Sequence, residues 1–270
     1  MVSTYPSLDD FSFDTALAVS NSYEVLSLDG DSTQVFEWKS VTKPLVALAT
    51  LIAVDQGHLD LQDSAGPDGA TVRHLLAHAS GLPFEEGPRQ SPERRRVYSN
   101  VGFETLGEHL EAGVGTDLWS WVRTSVVEPL ELNSTALQGS PAHGVRSNIL
   151  DLLALGLEML TPTLISAELA EAARTVQFPG LAGVLPGFGS QDRNDWGLGY
   201  EIRGEKDPHW TSPANSPGTF GHFGQSGSFV WVDPAADLVA VFLGEVSFRQ
   251  DTHAILWPKL STEILQAHRT

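Results

Sequence analysis

Ser40 and Lys43 form the sharpest chemical pattern of this 270-residue sequence, a serine followed three residues later by a lysine. The unbroken apolar stretch from Val41 to Gly57 predicts one buried helix that begins just after Ser40. Residues three apart share a helix face, so the Lys43 amine would reach the Ser40 hydroxyl. A lysine that has lost its proton in a dry pocket can take the serine proton. The pattern therefore indicates acyl transfer through Ser40, whose backbone N–H at the helix N-terminus would serve as an oxyanion donor.

The same pattern has a plain structural interpretation, in which Ser40 caps a helix and Lys43 lies in its first turn. With 25 serines and four lysines in the chain, such a match also arises easily by chance. A thiol nucleophile is excluded because there is no cysteine, and an α/β-hydrolase is excluded because its G-x-S-x-G string is absent. His74 and His78 have the spacing of zinc ligands, but H-E-x-x-H and a third ligand are missing. We therefore predict structural packing for both histidines, and no metal.

The composition excludes several classes of partner. The net charge of −18 argues against nucleic acid and anionic membranes, and the longest apolar run, Leu45 to Val54, is half a membrane span. The N-terminus lacks the basic and apolar regions of a secretory signal, which predicts a cytoplasmic protein. The one basic cluster, Arg94 to Arg96, is interpreted mainly as a solvated loop, with the rim of a site as the alternative.

The hydrophobic pattern changes twice along the chain. Strand patterns occupy the first forty residues and return after residue 192, and a closing helix is predicted from Thr252 to Ala267. We expect an α/β (α+β) fold with an antiparallel sheet built from both termini and flanked by helices. It would be a single domain, 1–270, with a sheet-containing lobe of 1–60 plus 180–270, a helical lobe of 61–179 and a surface loop at 179–192. The helices predicted in the middle are Val72–Ala79, Val101–Ala112, Asp117–Val127, Ile149–Leu160 and Ser166–Val176.

Three further segments carry a family resemblance. TVRHLLAHASGLP (71–83) follows the first helix, Tyr98-Ser99-Asn100 resembles a Y-x-N element, and Gly221-His222-Phe223-Gly224 resembles a K-T-G or H-x-G strand. WGLGYEI (196–202) and Ser147–Asp151, placed on a helix, fit the same pattern. In order and spacing the chain, from about residue 15 to 265, resembles the serine β-lactamase and penicillin-binding-protein-like superfamily, in its class C β-lactamase, esterase and D-aminopeptidase branch.

The resemblance implies roles for the first two motifs. Ser40 would be the nucleophile, and Lys43 and Tyr98 would share its proton, with Tyr98 a candidate base that also returns the proton to the leaving group. Asn100 would orient Lys43 and the incoming acyl group. Two simpler interpretations remain open: Tyr98 as an aromatic residue of the core, and Asn100 as a helix cap.

The third motif would close the site from the opposite side. The resemblance implies that His222 takes the position often held by lysine, that Gly224 lies against the substrate, and that the backbone N–H groups of Ser40 and Gln225 form the oxyanion hole. His222 is a weaker cation than lysine near neutral pH, or simply a partly buried imidazole. Phe223 stands where threonine is common, and phenylalanine cannot contact a substrate carboxylate as that hydroxyl does in β-lactam enzymes.

The expected function is a serine hydrolase acting on small esters or related acyl compounds through an acyl-Ser40 intermediate, without a cofactor. The departures at His222 and Phe223 favour esters over β-lactams. The alternatives are a weak β-lactamase or D-amino-acid amidase or peptidase, and a catalytically silent member that binds a ligand in the same cleft. A small-molecule substrate is the expected partner, and the sequence does not indicate an oligomeric state.

Overall fold

The main sheet is built from strands at both ends of the chain. The computed structural model describes residues 4–268. Its strands are β1 Thr15–Ser20, β2 Val25–Asp29, β3 Phe36–Glu37, β4 Arg146–Ser147, β5 Gly183–Leu185, β6 Gly189–Gln191, β7 Glu201–Ile202, β8 Phe220–Gly224, β9 Ser228–Asp233 and β10 Leu238–Gly244. Six of them form one antiparallel sheet in the order β2-β1-β10-β9-β8-β7, and two small two-stranded sheets are separate, β3 with β4 and β5 with β6.

The last strand lies at the centre of the sheet and is buried along its whole length. Successive side chains of a strand point to opposite faces. Val239 and Val241 accordingly join one apolar core, while Ala240 and Phe242 join a second core on the other face. Strand β1 pairs directly with β10. The expected antiparallel sheet from both termini, flanked by helices, is therefore confirmed.

The helices cover both faces of the sheet. They are α1 Thr42–Asp55, α2 Val72–Leu76, α3 Asn100–Val114, α4 Leu118–Val122, α5 Ile149–Leu160, α6 Ala167–Ala173 and α7 His253–His268. Helix α5 packs on β1, β9 and β10, and Gly156 allows the close approach because a Cβ there would lie 2.6 Å from Val239 Cγ1. Helix α1 is buried from Thr42 through Ala53. Among the described residues no helix is long and apolar enough to cross a membrane; the cytoplasmic location stays a prediction.

Several element boundaries differ from those expected. The segment 179–192 is not a plain loop, since it contains the hairpin of β5 and β6. The helix expected over Asp117–Val127 becomes the short α4 followed by a π-helical turn, Arg123–Val127. Ser147 lies in β4 instead of on a helix, and Asn148 caps α5 by accepting a hydrogen bond from the Asp151 N–H. Short strands and caps depend on tertiary partners, which explains why local pattern misplaces them.

Candidate active site

The turn that carries Ser40 is fixed on both sides. Residues Lys39–Val41 form a single 3-10 turn that leads directly into α1. Before it, the buried Trp38 donates its backbone N–H to Val145 O, and its carbonyl accepts hydrogen bonds from Val41 N and the Ser228 hydroxyl. Lys39 has a φ of +46°, an uncommon conformation for a residue with a side chain. Strain of this kind persists where the surroundings impose it, as at functional sites.

Lys43 lies fully buried beneath this turn and has four polar neighbours. Its Nζ is 2.8 Å from Asn100 Oδ1 and 2.9 Å from Ala142 O, two oxygens that can only accept. It is also 2.7 Å from the Tyr98 hydroxyl and 3.3 Å from Ser40 Oγ. Burial lowers the pKa of Lys43 well below its ordinary value, against a weaker opposing effect of the Glu104 charge. In its neutral form the amine has two N–H groups, enough for the two carbonyl oxygens, and one lone pair, which can accept a hydrogen bond from one of the two hydroxyls at a time.

Tyr98 is held in an aromatic stack behind the serine. Its ring centroid lies 4.7 Å from that of His78 and 5.8 Å from each of Trp196 and Phe84. Burial raises the pKa of Tyr98, while a hydrogen bond with Ser40 opposes the shift. The phenol is therefore protonated at neutral pH. Burial thus disfavours the charged form of both groups, the phenolate of Tyr98 and the ammonium of Lys43.

His222 faces this group from β8, buried and uncharged. Burial is the largest cause of its lowered pKa, which is about 3. Its Nδ1 lies 2.7 Å from the carbonyl oxygen of Phe223, which can only accept, so the proton of the neutral ring is on Nδ1. Nε2 then carries a lone pair, and within residues 4–268 it has no hydrogen-bond partner. The expected weak cation is instead a hydrogen-bond acceptor.

Phe223 points to the other face of β8 and contributes to an aromatic cluster. Its ring centroid lies 5.5 Å from that of Phe248 and 5.8 Å from those of Trp210 and Trp257.

Gly224 brings the end of β8 against the serine turn. A Cβ at this position would lie 2.3 Å from Trp38 O, 2.6 Å from Ser228 Oγ and 3.3 Å from Ser40 N, so only glycine allows this approach. The next residue, Gln225, is thereby held beside Ser40. For the described part of the chain, neither the Ser40 N–H nor the Gln225 N–H has an acceptor. Two free donors on adjacent segments are what a developing oxyanion requires.

The predicted residues meet at one cavity of about 310 Å³. Ser40, Tyr98, Asn100, His222 and Gln225 line it, Lys43 lies beneath it, and Gly224 forms the contact just described. The structure thus brings together all seven residues that the motifs single out. The apolar part of the wall comes from Phe84, Leu185, Pro186, Trp196 and Phe223.

The arginine cluster divides into exposed and buried members. Arg94 and Arg95 are exposed as expected, but the solvated-loop interpretation is wrong for Arg96, which is 1% exposed. The Arg96 guanidinium donates hydrogen bonds to backbone carbonyls from three segments, those of Ala77, Gln177, Phe178 and Asn194. A buried guanidinium without such acceptors would be very costly. Arg96 therefore holds together the backbone behind the site.

The two histidines of the possible zinc pattern have separate structural roles. His74 lies in α2, 2.8 Å from the Thr71 hydroxyl and 3.2 Å from a Glu93 carboxylate oxygen. His78 lies beyond the end of that helix with a φ of +53°, and its Nδ1 accepts from Ser99 N. Within residues 4–268 no group of three or more His, Asp or Glu side chains could hold a metal ion.

The sequence motifs missed Glu201, a buried carboxylate that also lines the cavity. It forms an ion pair with the buried Lys206, and its Oε2 is 2.9 Å from both His209 Nε2 and Trp210 Nε1. Burial raises the pKa of Glu201, but His209 and Lys206 outweigh burial and hold it well below the ordinary value. The detectable signal was a glutamate inside the apolar segment WGLGYEI, where a charge needs a partner.

This fold and this serine–lysine–tyrosine arrangement define a serine hydrolase of the β-lactamase type. The family model described as Beta-lactamase matches residues 16–255, and the chain belongs to this family. A beta-lactamase from Mycobacterium bovis of known structure is 45% identical, with a TM-score of 0.96 over 99% of this chain and 100% of that chain.

More distant relatives show the breadth of the fold. EstCE1, a hydrolase with promiscuous acyltransferase activity, has a TM-score of 0.77 at 17% identity over 96% of this chain and 95% of its own. Penicillin-binding protein 4* of Bacillus subtilis (strain 168) is 26% identical over 138 residues. That match spans 38% of this chain and only 31% of the curated relative.

Proposed function

We propose that this protein hydrolyses small carboxylic esters through an acyl-Ser40 intermediate. The observation that carries the proposal is the buried Lys43 Nζ, which lies within hydrogen-bond distance of Ser40 Oγ, the Tyr98 hydroxyl and two carbonyl oxygens. Burial lowers the pKa of this amine, which makes its neutral, basic form more accessible next to the hydroxyl that must lose a proton.

Acylation follows from these positions. Lys43 Nζ takes the Ser40 proton as Oγ bonds to the ester carbonyl carbon, and the carbonyl oxygen becomes an oxyanion between the N–H groups of Ser40 and Gln225. Tyr98 donates its proton to the departing alkoxide and regains one from the Lys43 ammonium. The ester C–O bond breaks, the alcohol leaves, and Ser40 is left acylated.

Deacylation uses the same groups with water as nucleophile. A water molecule gives its proton to Lys43, through Tyr98, and its oxygen bonds to the acyl carbon. The oxyanion again lies between the two backbone donors. The Ser40 C–O bond then breaks, Oγ recovers a proton from Lys43, and the carboxylic acid is released.

The third motif favours neutral substrates over carboxylates. His222 presents a lone pair, and Phe223 offers no hydroxyl, so neither side chain can bind a negatively charged group. The other ionised groups of the wall do not form a carboxylate site either, because Lys39 is paired with Glu37, and Glu85 and the ion-paired Glu201 are themselves carboxylates. We therefore infer that esters without a carboxylate beside the scissile bond are preferred.

The test is Ser40→Ala, with the exposed Ser120→Ala on α4 as the matched control. We expect hydrolysis of p-nitrophenyl acetate to fall by about 10³-fold or more in Ser40→Ala, and the fluorophosphonate adduct seen by intact mass to disappear. The control retains both. Turnover in wild type that survives Ser40→Ala would contradict the proposal.

A second candidate, β-lactam hydrolysis, is favoured by the 45% identity to a protein named a beta-lactamase. It is tested by comparing kcat/KM for a chromogenic cephalosporin and for a D-amino-acid amide with that for p-nitrophenyl acetate. A kcat/KM for the cephalosporin above that for p-nitrophenyl acetate would favour β-lactam hydrolysis over ester hydrolysis. Stabilisation by these compounds with neither turnover nor an adduct would instead indicate a silent, ligand-binding protein.

A further inference from the structure

A second cavity, of about 390 Å³, adjoins the active-site cavity. The two share three lining residues, Phe84, Tyr98 and Pro186, so they adjoin along these side chains. The rest of the second cavity includes Val97, Val184 and Arg95. Each cavity has the volume of a small-ligand site, and together they could hold a ligand longer than the acetyl esters considered above.

Apolar side chains remain exposed at this second cavity. Phe84 is 49% exposed and Val184 is 46% exposed, although both are large apolar residues. They come from different segments, the loop before Tyr98 and strand β5. Exposed apolar residues that line one cavity indicate a binding surface for apolar groups.

The walls of this cavity are held in place by the backbone. Asn100 N donates to Phe84 O at 2.8 Å, and Arg96 N donates to Ala182 O at 2.9 Å, next to β5. Gly183 permits that contact, because a Cβ there would lie 2.5 Å from Arg96 O. The second cavity is therefore formed before a ligand arrives, which lowers the entropy cost of binding.

The two cavities differ in charge. Lys39, Glu85 and the ion-paired Glu201 line the active-site cavity, whereas the second cavity is lined by Arg95 and by no carboxylate. Among the ion pairs of the described residues, Arg95 has no carboxylate partner, although the chain carries 34 acidic residues. An unpaired guanidinium at an apolar cavity is suited to a carboxylate at the far end of an apolar ligand.

We propose that the acyl chain of the substrate extends from Ser40 past Phe84 into the second cavity and ends beside Arg95. The substrate class is then esters of medium-length aliphatic acids, with preference for a terminal carboxylate on the acyl chain. Asn100 links the two cavities, because its side chain contacts Lys43 and its backbone N–H holds Phe84 O; the choice of the acyl chain over the alcohol is part of the proposal. This inference rests on the proposed esterase function and names its substrate.

The apolar part is tested with Val184→Trp, which fills the cavity, and with Val25→Trp on the edge strand β2 as control. We expect kcat/KM for p-nitrophenyl hexanoate to fall by about ten-fold or more in Val184→Trp, because a hydrophobic pocket discriminates by that much for a few methylenes. The value for p-nitrophenyl acetate should change by less than about two-fold, and Val25→Trp should change neither.

The charged part is tested with Arg95→Gln, and the neighbouring exposed Arg94→Gln is the control. The substrates are p-nitrophenyl hexanoate and the mono-p-nitrophenyl ester of adipic acid, which has the same chain with a terminal carboxylate. Wild type should prefer the adipate ester, and Arg95→Gln should reduce that preference by about two- to five-fold, the range for an exposed ion pair. An unchanged preference would overturn the role of Arg95.

Failure of the cavity and failure of the esterase function give different results. If hydrolysis of p-nitrophenyl acetate depends on Ser40 but hydrolysis of p-nitrophenyl hexanoate is unaffected by Val184→Trp, the second cavity does not bind the acyl chain. The proposed esterase function then still stands. Absence of any Ser40-dependent turnover overturns the function. Calorimetric binding of the neutral ester ethyl hexanoate to Ser40→Ala then tests the cavity on its own: affinity that Val184→Trp does not weaken, or no binding, overturns the proposed acyl site.

Discussion

Lys43 shows how burial and hydrogen-bond geometry together select a protonation state. Desolvation makes the ammonium costly, and the two carbonyl oxygens of Asn100 and Ala142 match the two N–H groups of the neutral amine. The sequence could predict the pairing of Lys43 with Ser40, because helical spacing alone brings them together. It could not predict Ala142 O, which comes from a segment 99 residues away.

The pH dependence of stability tests this protonation state through Lys43→Met. The unfolded chain keeps the Lys43 proton up to a pKa of about 10.4 while the folded chain loses it earlier, so unfolding takes up a proton and stability rises with pH. We expect the free energy of unfolding of wild type to rise relative to Lys43→Met from neutral pH towards pH 10, in urea titrations. Activity should fall by about 10²- to 10⁴-fold.

The exposed Lys259 offers the control, because its side chain lies on the surface beside Asp10. Lys259→Met should give no increase of wild-type stability with pH over the same interval. A constant difference between wild type and Lys43→Met would mean that Lys43 stays protonated in the folded protein.

His222 should remain neutral throughout the physiological range. Its pKa of about 3 predicts that the ring resonances of His222, assigned with His222→Gln, do not titrate between about pH 5 and pH 8 in NMR spectra. Because the folded pKa is lowered, this residue reduces stability as pH falls below its ordinary value of 6.5. A titration midpoint near 6.5 would contradict the buried, neutral assignment.

Among the elements, long amphipathic or apolar segments were predicted best. Helix α5 has the bounds that the apolar periodicity indicates, and α1 differs from its expected range by a residue or two at each end. The hairpin of β5 and β6 was missed because its residues are glycine-rich and its position depends on Arg96. Arg96 in turn was misjudged because its acceptors lie in distant segments that no local pattern reveals.

Strand β8 can be tested through its closest contact with the serine turn. Gly224→Ala would place a methyl group 2.3 Å from Trp38 O and push the oxyanion donors apart. We expect kcat for p-nitrophenyl acetate to fall by about 10²- to 10³-fold, the effect of losing one oxyanion donor. Gly218→Ala is the matched control, since its Cβ would meet nothing closer than 3.8 Å. Equal activity in the two variants would contradict the assignment of the Gln225 N–H as an oxyanion donor.

At the scale of the whole molecule, one apolar core joins the two predicted lobes. It includes residues of β1, α1, α3, α5 and β10, so helices from the middle of the chain share a core with strands from both ends. Separate unfolding of one lobe would expose that shared surface to water.

We therefore expect one cooperative unfolding transition. The calorimetric and van't Hoff enthalpies should agree, and near-UV and far-UV circular dichroism should give the same midpoint. Two resolved transitions would show that the lobes are independent and that the division at about residues 60 and 180 is a true domain boundary.

The burial of α1 also bears on how this chain could acquire new substrates. Ser40 and Lys43 stand at the start of a helix with no solvent-facing residue before Val54, so almost any change there disturbs the core. Phe84 and Val184, in contrast, are exposed on a loop and a hairpin that line the second cavity. Substitutions in those two segments can alter selectivity at little cost to folding. The start of α1 is therefore expected to tolerate few substitutions, whereas the loop of Phe84 and the hairpin of Val184 are expected to tolerate many.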